Sequence, residues 1–288
     1  MSKILVTLTL LCASLSAQVP KSFGAPTDDE HPSKDGPAVS TLNPVLQWNR
    51  ILLAIVRTPG AQPAAIHTTR SFALMHAAIY DAVNAIARTH EPYLVRLTGV
   101  PRHASQQAAG AAAAHEVLAA LYPVFLSSLD DELQQSLTQI PAGKVKDEGI
   151  LIGRTVADRI LALRINDGAN AQPILYVFGS APGDYQSTPP NFPTQPQFTH
   201  WSHVTPFALE RANQFLPGPP PVLASDTYSE ALNEIKSLGI TNSTTATADE
   251  ALTGRFWNGA IQNYWNEITQ TDNFLTPRHR KDQSDRDK

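Results

Sequence analysis

The chain has 288 residues, of which 42% are hydrophobic and 17% charged, and its formal net charge at pH 7 is -4. This hydrophobic content is sufficient to bury a core and excludes a chain that is disordered throughout. The small negative charge excludes a broad nucleic-acid-binding surface, which would need clustered Lys and Arg. We therefore expect one large domain or two small ones, with no DNA or RNA partner.

The first residues, 1–17, have the pattern of a secretory signal. Lys3 supplies a positive start, an apolar run covers residues 4–13, and small residues precede Ala17. The run is too short to span a bilayer, and no later segment approaches about 20 uninterrupted apolar residues. We expect a secreted or periplasmic protein that does not contact the membrane after signal cleavage. Because Cys12 is the only cysteine, the mature chain has no disulfide, thiolate metal site or Cys nucleophile.

Residues 18–42 are rich in Pro, Gly and charged residues and show no periodicity, which predicts a flexible lead-in. The pattern becomes helical after this segment. Asn43 is a suitable cap, Pro44 suits the first turn of a helix, and the sequence Thr-Pro-Gly at 58–60 ends it. We therefore predict a first amphipathic helix that begins after Asn43 and ends near residues 58–60.

A second predicted helix, residues 69–88 (TRSFALMHAAIYDAVNAIAR), is expected to be the central element of the fold. Its apolar residues recur at spacings of three and four and form one stripe. The stripe consists of Phe72, Met75, Ile79, Ala82, Val83 and Ile86. Alanines on the remaining surface allow other helices to approach closely. The pattern therefore predicts a buried helix around which the rest of the chain packs.

Three more helices are predicted before the composition changes. They cover an alanine-rich segment at 104–123, a short segment at 129–140 and a segment at 144–165 that Asp167-Gly168 ends. Residues 169–221 are dense in Pro, Gly and aromatic residues, and a loop this long is normally functional or a surface wrap. Its aromatics predict that it packs on the helices. These are Tyr176, Phe178, Tyr185, Phe192, Trp201 and Phe207.

Helices are predicted again after the long loop. Ser225 is a plausible cap for a helix to Leu238, and Thr247 with Glu250 has the spacing of a capping box. A last helix is predicted over 261–268, and the charged residues 277–288 are predicted to be a disordered tail. The fold class expected from these patterns is all-α. The helical region spans residues 43–276 and consists of two helical groups joined by the long loop.

Familiar catalytic motifs are absent from the sequence. It contains no Gly-rich phosphate loop, no H-E-x-x-H, no G-x-S-x-G and no paired Cys motif. The polar residues of the second helix remain as candidates: His76, Tyr80, Asp81 and Asn84. His76 and Asp81 lie about 140° apart on the helix, so they cannot hold one ligand from a single face.

We interpret these four polar residues as structural, because buried polar groups need partners. In this interpretation His76 and Tyr80 hydrogen-bond to neighbouring helices, and Asp81 pairs with Arg70 or Arg88. The alternative is an enzyme that uses His76, Asp81 or His203 in an unfamiliar site.

Several segments together resemble one family. They are HAAIYDAVNAI at 76–86, PGDYQSTPPNF at 182–192, VTPF at 204–207, QFLPGPPP at 214–221 and STTATADE at 243–250. In order and approximate spacing they resemble the amino-terminal half of the bacterial vanadium-dependent haloperoxidases, members of the type 2 phosphatidic acid phosphatase superfamily. The resemblance covers nearly all of residues 43–270. One departure is Ala246, where related sequences tend to have Arg in an S-T-T-R-T run.

The resemblance implies a helical-bundle scaffold and, in full-length relatives, a site for vanadate or phosphate. Lys, Arg, Ser-Gly and His residues of three motifs, K-x6-R-P, P-S-G-H and S-R-x5-H, hold the oxyanion, because a multiply charged anion needs several cationic and N–H donors. None of these motifs occurs in the 288 residues, and Lys281 and Arg286 have neither the spacing nor the Pro. No catalytic, cofactor-binding or metal-binding residue is therefore carried over, and we expect this chain to bind no vanadate.

The first functional hypothesis is consequently a secreted haloperoxidase-like or phosphatase-superfamily protein, truncated before its catalytic half and inactive as it stands. Such a scaffold would expose apolar surface that pairs with the missing carboxyl-terminal half or with another copy of the chain. The alternative hypothesis is a non-catalytic helical binding or assembly module.

Overall fold

The computed structural model describes residues 43–61, 65–189, 191–240, 243–258 and 266. Within these residues the protein has seven α-helices and no strand, so the predicted all-α class is confirmed. None of these helices combines the length and the apolar composition needed to cross a bilayer. The predicted signal at 1–17, the lead-in at 18–42, most of the last helix at 261–268 and the tail at 277–288 lie outside the described residues.

The seven helices follow the predicted order. They are α1 (Pro44–Arg57), α2 (Ala65–Ala87), α3 (Gln106–Leu121), α4 (Leu126–Thr138), α5 (Lys144–Arg164), α6 (Asp226–Leu238) and α7 (Ala248–Trp257). Side-chain caps begin four of the helices, α1, α3, α6 and α7. The Asn43 side chain accepts from the Val45 N–H at 3.0 Å, and Thr247 and Glu250 form the predicted capping box of α7.

The centre of the bundle is α3, which contacts α1, α2, α4 and α5. The expectation that the second helix holds this position is therefore wrong. Residues 108–115 of α3 are all buried, so the helix is covered around its whole circumference. The physical reason is its alanine and glycine surface, since side chains no larger than a methyl group let neighbouring helices pack on every side.

The contact between α3 and α5 is a close backbone approach. A Cβ atom added at Gly153 would overlap the Ala109 carbonyl oxygen and lie 2.9 Å from the Ala113 nitrogen. One added at Gly149 would lie 2.5 Å from the Ser105 carbonyl oxygen. These two glycines, one helical turn apart, therefore form a flat strip against which α3 rests.

The predicted apolar stripe of α2 is present in the structure. Five of its six residues are buried: Phe72, Met75, Ile79, Ala82 and Ile86. Val83 is half-buried and packs against the same core. The helical period alone thus identified the core face of α2.

The long loop, residues 165–224, contains one short 3-10 turn, Trp201–His203, among its described residues. Its predicted packing on the helices is correct in part. Phe207 packs against the core, and Trp201 contacts the His67 ring at the start of α2 with 5.0 Å between ring centroids. Tyr176, Phe178 and Tyr185 instead contact one another, with ring centroids 5.3 to 5.9 Å apart.

Candidate functional site

The Asp81 side chain holds the segment that follows α2. It is 1% exposed, and its carboxylate accepts three consecutive backbone N–H groups. Oδ1 accepts from Tyr93 at 2.6 Å, and Oδ2 accepts from Leu94 and Val95, each at 2.8 Å. Hydrogen bonds to an ionised carboxylate are among the stronger ones in proteins. Asp81 therefore fixes residues 93–95 against α2.

The predicted ion pair between Asp81 and an arginine is wrong. Arg70 pairs with Asp167, with 2.8 Å between Nε and Oδ2. Arg88 donates from Nη2 to the Val100 carbonyl oxygen at 2.6 Å. Three backbone N–H groups satisfy the buried carboxylate because the chain folds back over α2 at this point.

Asn84 secures the start of the same returning segment. Its Oδ1 accepts from the N–H groups of Thr89 and His90, at 3.2 and 3.0 Å, and its Nδ2 donates to the His90 carbonyl oxygen at 2.7 Å. The reversal itself is at Arg88, whose φ of 53° is left-handed and ends the helix. Asn84 and Asp81, one turn apart on α2, together place residues 89–95.

The returning segment and the long loop border a cleft of about 610 Å³ on the outer face of α2. Ala73 and Ala77 form its floor, and its walls include His76, Tyr80, Tyr93 and Phe207. Of the three residues considered for an unfamiliar enzyme, His76 lines the cleft, whereas Asp81 and His203 do not. Among the described residues, this cleft therefore does not bring the three residues together.

His76 presents a neutral imidazole to this cleft. Burial lowers the pKa of His76 below its usual 6.5, so the ring is uncharged at pH 7. Nε2 lies 3.0 Å from Asn49 Oδ1 in α1, a contact with a neighbouring helix of the kind expected from the sequence. Because the amide oxygen only accepts, Nε2 carries the proton and Nδ1 has a free lone pair.

Both tyrosines of the cleft donate their phenol protons to backbone carbonyls. Tyr80 donates to Glu91 at 2.8 Å, so its partner is the returning segment and not the neighbouring helix that was expected. Tyr93 donates to the Phe207 carbonyl oxygen. Burial is the main cause that raises the pKa of Tyr93 above 10.0, which keeps this phenol protonated at neutral pH.

A buried polar junction positions Phe207. The Arg164 guanidinium lies 3.7 Å from the centroid of the Phe207 ring, and its Nη1 donates to the carbonyl oxygens of Thr205 at 3.0 Å and Pro206 at 3.3 Å. The Thr205 backbone N–H donates to the backbone carbonyl oxygen of Asp167 at 2.8 Å. Sequence reasoning assigned Asp167 only a helix stop and did not find Arg164, because its partners are about 40 residues away.

Two features of the described residues bear on metal and oxyanion chemistry. Among residues 43–61, 65–189, 191–240 and 243–258, no group of three or more His, Cys, Asp or Glu side chains could hold a metal ion. The protons of His76, Tyr80 and Tyr93 are already donated, so these walls present acceptors. An oxyanion needs the opposite, several convergent donors.

Comparisons with known proteins identify no relative of the chain. No family model matches the chain, and no curated protein matches it significantly.

Acid is expected to destabilise the protein through His76. Because burial lowers its pKa below 6.5, the unfolded chain binds more protons than the folded chain between the folded pKa and 6.5. The free energy of unfolding therefore falls as pH falls through that window and is fully retained above it. We expect His76→Gln to flatten this dependence, measured by urea denaturation at pH values from about 7.5 to 5.

His203→Gln is the matched control, because His203 is exposed in the Trp201–His203 turn. Burial also lowers the pKa of His67, so part of the slope persists in the His76 variant. If the free energy of unfolding of His76→Gln depended on pH as steeply as that of the parent protein, His76 would not be a source of the acid sensitivity.

Proposed function

We propose that the described helices form the scaffold of an exported vanadium-dependent haloperoxidase-like or phosphatase-superfamily protein, secreted or periplasmic, and that the 288 residues alone do not bind vanadate or turn over substrate. The observation that carries the proposal is the use of the segment HAAIYDAVNAI, residues 76–86. His76, Tyr80, Asp81 and Asn84 within it each hold a structural contact. The segment with the clearest resemblance thus serves as framework.

The chemistry available to the chain agrees with this proposal. Vanadate or phosphate binding in the resembled family depends on three motifs that the 288 residues do not contain. The cleft on α2 does not substitute for them, since its walls present lone pairs of His76, Tyr80 and Tyr93. Lone pairs repel an oxyanion and provide none of the charge neutralisation that the reaction needs.

An assay with vanadate, bromide and hydrogen peroxide tests the proposal. We expect the purified chain to give the rate of free vanadate and no more. A polypeptide carrying K-x6-R-P, P-S-G-H and S-R-x5-H, added in trans, is expected to give turnover only in the presence of the chain. The same polypeptide without the chain is the control.

Two results of this assay would count against the proposal. Turnover by the chain alone, above the free-vanadate rate, would show that catalytic groups are present in it. Failure of the added polypeptide to gain activity, with both components folded, would contradict the scaffold role.

A second candidate function, a non-catalytic assembly module, is favoured by α6 and α7. Neither helix has a buried residue, although both carry large apolar side chains such as Ile235, Leu252 and Phe256. Sedimentation analysis distinguishes the candidates. Self-association without any gain of turnover in the complementation assay favours the assembly module, whereas a monomer that gains turnover favours the scaffold.

A further inference from the structure

We infer that the cleft bordered by α2, residues 91–93 and Phe207 binds a small primary amine in its ammonium form. The inference goes beyond the proposed function and does not depend on it. It rests on the hydrogen-bonding character of the walls, on their aromatic surface and on the size of the cleft, which are properties of the described residues alone.

The polar groups on the side chains of the walls act as acceptors. His76 uses its Nε2 proton on Asn49, which leaves the Nδ1 lone pair. Tyr80 and Tyr93 use their phenol protons on the carbonyl oxygens of Glu91 and Phe207, which leaves the phenol oxygens as acceptors. Glu91 also borders the cleft, and the contact that it makes there is its carbonyl oxygen, which accepts the Tyr80 proton. A ligand that satisfies this set has to bring donors.

An ammonium group fits this set better than the other common polar groups. It has three N–H donors and no acceptor, whereas a hydroxyl has one donor and a carboxylate has none. The lining also includes the aromatic rings of Tyr80 and Tyr93, a type of side chain whose face attracts a cation. The Glu91 carboxylate is exposed and pairs with Arg96, 2.7 Å between Nη2 and Oε2, so the fit of an ammonium group depends on the acceptors and rings and not on this charge.

The size of the cleft limits the body of the amine. Ala73 and Ala77 line the cleft beside the two tyrosines, and the cleft is open to solvent with a volume of about 610 Å³, a size that small molecules can occupy. An amine with a single aromatic ring would place its apolar part over these alanines. The Phe207 ring, held on one face by Arg164, borders the same space as a fixed apolar wall.

Calorimetric titration of the full chain with three matched ligands tests the inference. Benzylamine, benzyl alcohol and benzoate share a ring and differ in the group it carries. At about pH 8, where His76 is neutral, we expect benzylamine to bind at least about tenfold more tightly than benzyl alcohol, and benzoate not to bind. Equal binding of benzylamine and benzyl alcohol, or binding of benzoate, would overturn the inference.

Two variants locate the site. Ala77→Leu fills the cleft from its floor and is expected to abolish benzylamine binding, while Ala162→Leu makes the same change at an exposed position of α5 and is expected to leave binding intact. Tyr80→Phe keeps the ring but removes one acceptor, and we expect about three- to tenfold weaker binding. Unchanged benzylamine binding in both Ala77→Leu and Tyr80→Phe would place the ligand elsewhere and refute the site.

Discussion

Replacing Gly153 with alanine is expected to lower the free energy of unfolding by about 3 kcal/mol, the scale of an overpacked core. The new Cβ would overlap the Ala109 carbonyl oxygen and lie 2.9 Å from the Ala113 nitrogen, so it meets the backbone of α3 and not a movable side chain. Relief requires α5 to separate from α3, which also loosens the packing around Ile152 and Val156. Urea denaturation followed by circular dichroism measures the effect.

Two other glycine positions provide matched controls for this substitution. A Cβ at Gly110, also in the bundle, would lie 3.5 Å from Val83 Cγ2 and 3.6 Å from Ile79 Cγ2, which is ordinary contact. Gly254 in α7 has no atom within 4 Å of an added Cβ. Alanine is the better helix former, so both changes are expected to be neutral or to stabilise by up to about 1 kcal/mol. If Gly153→Ala is as stable as Gly110→Ala, the close approach of α3 and α5 is incorrect.

The second large effect is expected at Asp81. Asp81→Ala removes the acceptor of three backbone N–H groups, those of Tyr93, Leu94 and Val95. Leaving buried donors without partners costs about 1–3 kcal/mol each, and partial access of water reduces the sum, so we expect a loss of about 4 kcal/mol. The same denaturation measurement applies. Hydrogen exchange at residues 93–95 is expected to accelerate, because their amide protons lose the bonds that protect them.

Asp81→Asn separates charge from shape. The amide has the size of the carboxyl group but directs an NH₂ group toward at least one backbone donor, so we expect a loss close to that of alanine. Asp158→Ala, at an exposed position of α5, is the control and is expected to stay within about 0.5 kcal/mol of the parent protein. Equal stability of Asp81→Ala and Asp158→Ala would contradict the conclusion that Asp81 fixes residues 93–95 against α2.

The polar candidates of α2 show how far a single sequence leads to the site. Helical position separated His76 from Asp81 and indicated that both need partners, and the partner of His76 is in a neighbouring helix as expected. The partners of Asp81 and Tyr80 are backbone groups of residues 91–95. Backbone groups are chemically alike in every residue, so no side-chain pattern distinguishes which of them meet a given carboxylate or phenol.

The cleft likewise arises from segments that are distant in sequence. Its floor is a pair of alanines that are unremarkable within an alanine-rich helix, and it becomes a cleft because Tyr93 and Phe207 stand beside them. Phe207 is separated from Ala77 by more than a hundred residues of chain and is positioned by Arg164. Proximity of this kind depends on how the loop crosses the bundle.

The sequence by itself determined the elements of this protein: the all-α class, the order of the seven described helices, the caps at Asn43, Ser225 and Thr247, and the buried stripe of α2. These depend on interactions within one or two helical turns, which the local sequence contains completely. Only the tertiary structure decided that α3 and not α2 lies at the centre of the bundle, and that Asp81 binds the backbone N–H groups of residues 93–95. Both depend on close approach between segments that are distant in sequence. The alanines and glycines of α3 form a centre only when other helices rest on them, and Asp81 finds its donors only when residues 93–95 fold back over α2.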